Sequence, residues 1–245
     1  MGNQTAIFGA ADDFDLATTV VKENAYNIRH FSDRIKNEPS IATAAIRKRA
    51  ECLRYVSEEL KDKKEIVKCA VMRSGDSLRF ASERLRSDPE IVAIALLDNL
   101  DTLKYVPERL RDDETFMLFC IEQDVSALLY SSERLRDKYE VASAAVNKDG
   151  SVLEYVSERL RNDLDIVLSA VANKGAALEF APKVLRDDIK IVRAAVANDS
   201  DAFDFVSDRV RKIVRDISED TELSILDRID LVIRSSKYKS ARSEA

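Results

Sequence analysis

Tryptophan is absent from this chain of 245 residues, glycine occurs five times, proline four times and histidine once. Scarce turn-formers, together with 34% charged residues rich in Arg, Asp and Glu, point to a mostly helical protein. A single histidine, His30, leaves one possible centre for a nucleophile–His–acid triad. The three cysteines, Cys52, Cys69 and Cys120, stand far apart with no His/Cys cluster of zinc spacing, so no metal site is expected. Their odd number and the lack of a signal peptide lead us to expect reduced thiols and a cytoplasmic location. Neither G-x-x-x-x-G-K-S/T nor G-x-G-x-x-G occurs, so no phosphate-cradling loop and no cofactor are expected. No apolar run reaches 18 residues, which excludes a membrane-spanning helix on sequence grounds.

What is present is a repeat. The stretches FASERLRSD (80–88), YVPERLRDD (105–113), YSSERLRDK (130–138) and YVSERLRND (155–163) recur every 25 residues without insertion. A ring column reads Tyr55, Phe80, Tyr105, Tyr130, Tyr155, Phe180 and Phe205, with His30 in the same frame. There His30 is expected to be a stacked, partly buried imidazole. Five residues after each ring comes Leu60, Leu85, Leu110, Leu135, Leu160, Leu185 and Val210, and a small column holds Ala45, Ala70, Ala95, Cys120, Ala145, Ala170 and Ala195.

Within one repeat, SDPEIVAIALL (87–97) carries apolar residues at i, i+1, i+4 and i+5, the face of a helix. Ser87/Glu90, Asp62/Glu65 and Asp137/Glu140 read as capping boxes at its start. Its end is expected near the Gly75, Gly150 and Gly175 column, in the left-handed conformation where glycine stands. A short second helix then carries a Leu-x-ring pair such as Leu153 and Tyr155, and Ser157 or Pro107 opens one further turn. A unit this small cannot bury its own apolar face, whereas stacked units can. The expected fold is therefore all-α, an α-solenoid of about eight repeats over 12–211. A loose lead over 1–11 with Ile7 and Phe8, capping helices over 212–234 and a polar tail over 235–245 complete it.

The pattern L-x-Y-x-S-x-x-L-R-x-D-x-x-I-V-x-x-A-V resembles an uncharacterised family of tandem helical repeats, described only as a domain of unknown function. Departures are His30 for the ring, Lys183 and Val184 where Glu and Arg are usual, and the bulkier Phe116 to Cys120. The resemblance implies a helical-repeat fold and supplies no catalytic residues. Because such repeats occur in bacterial, protist and large-virus proteins, it also implies an effector or inhibitor acting on a host protein.

Two cationic columns, Lys36 to Arg211 and Arg34 to Arg209, run beside Glu58, Glu83, Glu108, Glu133 and Glu158 and the Asp residues of the caps, and read as structural ion-pair ladders. The irregular columns are where a partner is expected. One is graded along the chain, Arg29, Arg54, Arg79, Lys104, Leu129, Glu154, Glu179 and Asp204, and predicts two electrostatic poles. The other is apolar where other repeats are polar: Ile94, Leu97, Leu118, Phe119, Leu129 and Tyr139. These either thicken the core or form an apolar strip with a charged rim, the anatomy of a protein interface. The leading expectation is a non-enzymatic scaffold that binds another protein through repeats three to five. The alternatives are nucleic-acid binding through the Arg29–Lys104 pole and self-association of opposite poles.

Overall fold

The computed structural model describes residues 11–217 and 223–235. The expected lead with Ile7 and Phe8, and the tail beyond 235, lie outside these residues. The chain divides into two compact units, Met1–Arg111 and Asp112–Ala245, and is an all-α solenoid built from three-part repeats.

Each repeat begins with a long helix, and these helices start at a constant interval of 25: Phe14–Glu23, Pro39–Lys48, Lys64–Val71, Pro89–Asp98, Glu114–Gln123, Tyr139–Lys148, Leu164–Asn173 and Ile189–Asn198. Pro39 and Pro89 occupy the first helical position, where a missing N–H costs nothing. The helix buries its third, fourth, seventh and eighth residues, as in Ile166, Val167, Ala170 and Val171. The small column is fully buried. An Ala there keeps the neighbouring helix within backbone reach, and the larger side chains around it each contribute roughly 1.5–3 kcal/mol on burial.

The helix stops at a residue in extended conformation, such as Asp149 with φ −146° and ψ 112°. Its side chain then accepts from the backbone N–H two residues on (Ser151, 2.9 Å) and opens a six-residue 3-10 segment, Gly150–Tyr155. The second expected helix is thus a 3-10 helix, and its central leucine (Leu53, Leu78, Leu103, Leu128, Leu153, Leu178) is completely buried. The rings that end it are only half-buried. A four-residue helix closes the repeat, capped by Ser32, Ser57, Ser82, Ser132, Ser157 and Ser207, each accepting from the N–H three residues on.

Three local expectations are corrected. The long helices are capped one residue later than the capping boxes imply: Asp88 accepts from Glu90 and Ile91, and Asp163 from Asp165 and Ile166. No glycine has positive φ among the described residues. Gly150 is small for a different reason, since a Cβ there would sit 2.1 Å from the Ala170 carbonyl oxygen of the next repeat. His30 is exposed, and its Nε2 accepts from Arg29 Nε at 2.8 Å.

The residues freed from capping join one repeat to the next. Asp137 accepts from the Ser157 hydroxyl and from Arg159 Nε (3.0 and 3.1 Å), while its carbonyl accepts from Arg159 Nη2 (2.5 Å). Asp62 with Ser82 and Arg84, Asp112 with Ser132 and Arg134, and Asp187 with Ser207 and Arg209 repeat this clamp. The backbone joins in: Ser157 N donates to Arg136 O at 3.1 Å and Ser82 N to Lys61 O at 3.0 Å. Of the two expected sets of ladder partners, this aspartate takes the arginines, and in the Glu column Glu58 pairs with Lys61 at 2.6 Å. In the other cationic column, Arg86 donates to Tyr105 O and Arg211 to Val206 O, again a structural use. A further link closes the long helices, where Asn173 Nδ2 donates to Asn147 O (3.1 Å) and its Oδ1 accepts from Gly150 N (2.9 Å).

At the C-terminus the last short helix lengthens to Asp208–Asp216, and Ile225–Arg234 packs on it and on Ile189–Asn198. Val210, Val214, Ile229 and Val232 are buried, and Arg193 Nε donates to Asp230 at 2.6 Å. These are the capping helices of the array.

Two predictions follow from the junctions. The serine hydroxyl first, and the Arg guanidinium second, hold Asp62, Asp112 and Asp137 below the usual carboxylate range. With the folded value below the unfolded value of about 3.9, the clamp's contribution is complete above that pH and is lost as pH falls through the lowered values. Thermal melts should show this loss below about pH 4, with a shallower acid dependence for Asp137→Asn. Separately, Gly150→Ala should destabilise by about 1–3 kcal/mol through overpacking, measured by denaturant titration. A neutral result would contradict the close approach to Ala170.

Candidate functional site

A long-helix face repeats its geometry while changing its chemistry. The fifth, sixth and ninth positions of each long helix point away from the core, and within each compact unit one pair of adjacent long helices leaves an open trough. Between Glu114–Gln123 and Tyr139–Lys148 this trough holds about 470 Å³ and is lined by Thr115, Leu118, Phe119, Glu122, Ala144 and Lys148. Phe119 creates one wall. Ala144 stands at the equivalent place on the next helix and leaves the facing wall low, so 53% of Phe119 remains exposed. Leu118 is half-buried beside it. Lys148 Nζ donates to the Glu122 carbonyl at 2.5 Å and closes one end with charge.

The same trough in the N-terminal unit, between Pro39–Lys48 and Lys64–Val71, is lined by Arg47, Glu65, Lys68, Cys69, Met72 and Arg73. Here Cys69 and Met72 bring sulfur to the lining, and Arg47, Lys68 and Arg73 outnumber the single acid Glu65. Lys68 is tied to Glu90 of the following repeat, which also pairs with Lys64 at 2.9 Å.

The six apolar candidates all lie at the surface, and none is buried. Leu97 is 88% exposed, Leu129 46% and Tyr139 43%, while Ile94 and Leu118 are half-buried. Ile94 and Leu97 belong to the N-terminal unit, and Leu118 and Phe119 share the trough of the C-terminal unit. Leu129 lies on the 3-10 segment Val125–Tyr130, and Tyr139 opens the next long helix; neither lines that trough. Sequence reasoning passed over Met72, 67% exposed in the Leu97 column, and Ala144 and Lys148. Met72 was legible in its column, whereas Ala144 matters only through the space it leaves.

The graded column lies entirely at the surface, on the fifth residue of each 3-10 segment. Arg54, Arg79 and Lys104 place their charges over the rings of Tyr55, Phe80 and Tyr105, at 5.7, 4.5 and 5.0 Å from the ring centres.

Among the described residues, no three His, Cys, Asp or Glu side chains are grouped to hold a metal ion, and no helix is long and apolar enough to cross a membrane. Cys52 and Cys120 are buried, and burial pushes both thiols up to about 11. Cys69 is half-buried and lines the trough of the N-terminal unit.

A family profile described as a domain of unknown function (DUF4116) matches five times in tandem, over residues 13–61, 63–107, 95–136, 139–186 and 163–211. The chain belongs to this family. No match was found among curated proteins or among solved structures.

The cysteines supply a check on the trough. A thiol reagent at neutral pH should label the native protein at Cys69, with Cys52 and Cys120 reacting only on unfolding, because the thiolate is the reactive form. Mass spectrometry of the labelled peptides reads this out, and equal labelling of all three would contradict the packing described.

Proposed function

We propose that this chain is a non-enzymatic protein-binding scaffold whose contact surface includes the trough between Glu114–Gln123 and Tyr139–Lys148. The observation that carries this reading is Phe119, a large ring half in water beside Leu118, with Glu122 and Lys148 at the rim. Aromatic anchors enclosed by polar rims dominate the energetics of protein interfaces. Covering Phe119 removes apolar surface from water, at about 25 cal/mol per Å². The trough recurs with other side chains in the N-terminal unit, so one geometry presents different chemistry at different repeats, which suits selective recognition. An effector or inhibitor role is part of the proposal: it would act by covering a partner's surface rather than by a reaction.

The test is affinity capture with wild type and with Phe119→Glu, followed by quantification of each captured protein. At least one protein should be retained by wild type and reduced by roughly thirtyfold or more in the variant, as for a lost hot spot. Since Phe119 is exposed, the melting temperature should change little, surface substitutions being worth about ±0.5 kcal/mol. Identical capture by both proteins, or a variant that loses its fold, would defeat the assignment.

A further inference from the structure

The fifth residue of every 3-10 segment is exposed, and its character changes between the two compact units. In the N-terminal unit the column is Arg29, Arg54, Arg79 and Lys104; in the C-terminal unit it is Leu129, Glu154, Glu179 and Asp204. None of Arg54, Arg79, Lys104, Glu154, Glu179 or Asp204 belongs to an ion pair among the described residues. This sets them apart from the clamp arginines, whose charges are already answered.

Three features make the two columns complementary. They occupy the same position of the same 25-residue repeat, so their rungs recur at one pitch, on the order of 10 Å for packed helices. Arg54, Arg79 and Lys104 are laid over rings and hence restricted before any partner arrives, which lowers the ordering cost of binding. Each acidic rung likewise has a half-buried ring beside it, Tyr155, Phe180 or Phe205, offering apolar area next to the charge.

The overall charge of the two halves favours the same pairing, while the nearest acidic neighbours of the basic column weaken it. Residues 1–111 hold 19 Lys/Arg and 18 Asp/Glu, whereas residues 112–245 hold 20 and 27. One 3-10 turn before the cations stand Glu51, Asp76 and Asp101, which temper the basic column. Glu51 is itself engaged by the Tyr26 hydroxyl at 2.8 Å. The corresponding places before Glu154 and Glu179 are Ser151 and Ala176, so those carboxylates meet no counter-charge and no like charge in their own segments.

We infer that this protein associates with a second copy of itself, the Arg54–Arg79–Lys104 column of one chain docking on the Glu154–Glu179–Asp204 column of the other. The occupant of the basic column is a polypeptide with carboxylates at the repeat's own pitch. The interface uses the 3-10 face and none of the trough residues, so it stands or falls independently of the proposed function.

The experiment is analytical ultracentrifugation of the full chain, nuclease-treated, over a range of protein and salt concentrations. Association should appear at about 0.01 M salt, where the Debye length is roughly 30 Å, and weaken at least about tenfold at 0.15 M, where it is roughly 8 Å. Arg54→Glu/Arg79→Glu/Lys104→Glu should abolish it, and so should Glu154→Lys/Glu179→Lys/Asp204→Lys. Mixing the two reversed variants should restore association between them, because each then supplies the charge that the other lacks. Circular dichroism confirms that both remain helical; if a reversal unfolds, the single variants Arg79→Glu and Glu179→Lys replace it in the same mixing test. A monomer at all salt concentrations would overturn the proposal, as would association that survives both reversals or a mixture that stays monomeric. Wild-type association that disappears on nuclease treatment would overturn it too and give the basic column to nucleic acid.

Discussion

Each repeat is left unfinished at its polar ends, and its successor completes it. Asp137 without Ser157 and Arg159 would be a surface carboxylate at the end of a one-turn helix; with them it fixes the distance and angle of the next repeat. Asn147 keeps an unanswered helix-terminal carbonyl until Asn173 arrives, and the same Asn173 then holds Gly150. Hydrophobic burial supplies most of the stabilisation, but it is not directional. The hydrogen bonds at these fixed offsets make 25, and no neighbouring number, the period of the chain.

Variation at the clamp shows how strictly its chemistry is paired. At the junction of Ser57 the aspartate is Asn37 and the arginine position is Glu59; Asn37 accepts from Ser57 at 2.5 Å and donates to Glu59 at 3.1 Å. Donor and acceptor have exchanged roles with the bond between them retained. Where proline replaces the serine, the aspartate is gone as well. Ser87 stands opposite Pro107 and turns its hydroxyl back to Glu83, and Asn162 stands opposite Pro182 and returns to Glu158. Without the serine hydroxyl and N–H, the aspartate loses its main partners.

The architecture was legible because several columns agree in one register, and the small Ala column and the 3-10 leucines are buried as the apolar pattern implies. The capping assignment missed by one residue because Asp62 and Asp137 have the spacing of a capping box yet accept from the next repeat's serine, and sequence does not say whether such an aspartate faces its own helix or the neighbour. Gly150 was misread since a glycine beyond a helix suggests a backbone twist, whereas the constraint is a carbonyl from 20 residues downstream. The candidate surface was half legible. Exposure of Phe119 followed from its column, but its grouping with Leu118 alone, apart from Leu129 and Tyr139, depends on the three-dimensional turn between long helix and 3-10 segment.

The two proline junctions have a consequence for how the array comes apart. In a linear stack, each interface contributes its own nearest-neighbour term, and opening spreads until it meets a strong one. Leu110 and Leu185, the anchors of the short helices behind Pro107 and Pro182, are only partly buried, whereas Leu60, Leu85, Leu135 and Leu160 are enclosed. Clamp and anchor thus weaken together at the same two places. An array of otherwise near-identical parts thus has junctions of two kinds, clamped and unclamped, and at the unclamped pair the packing of the long helices and 3-10 segments has to hold the neighbours together.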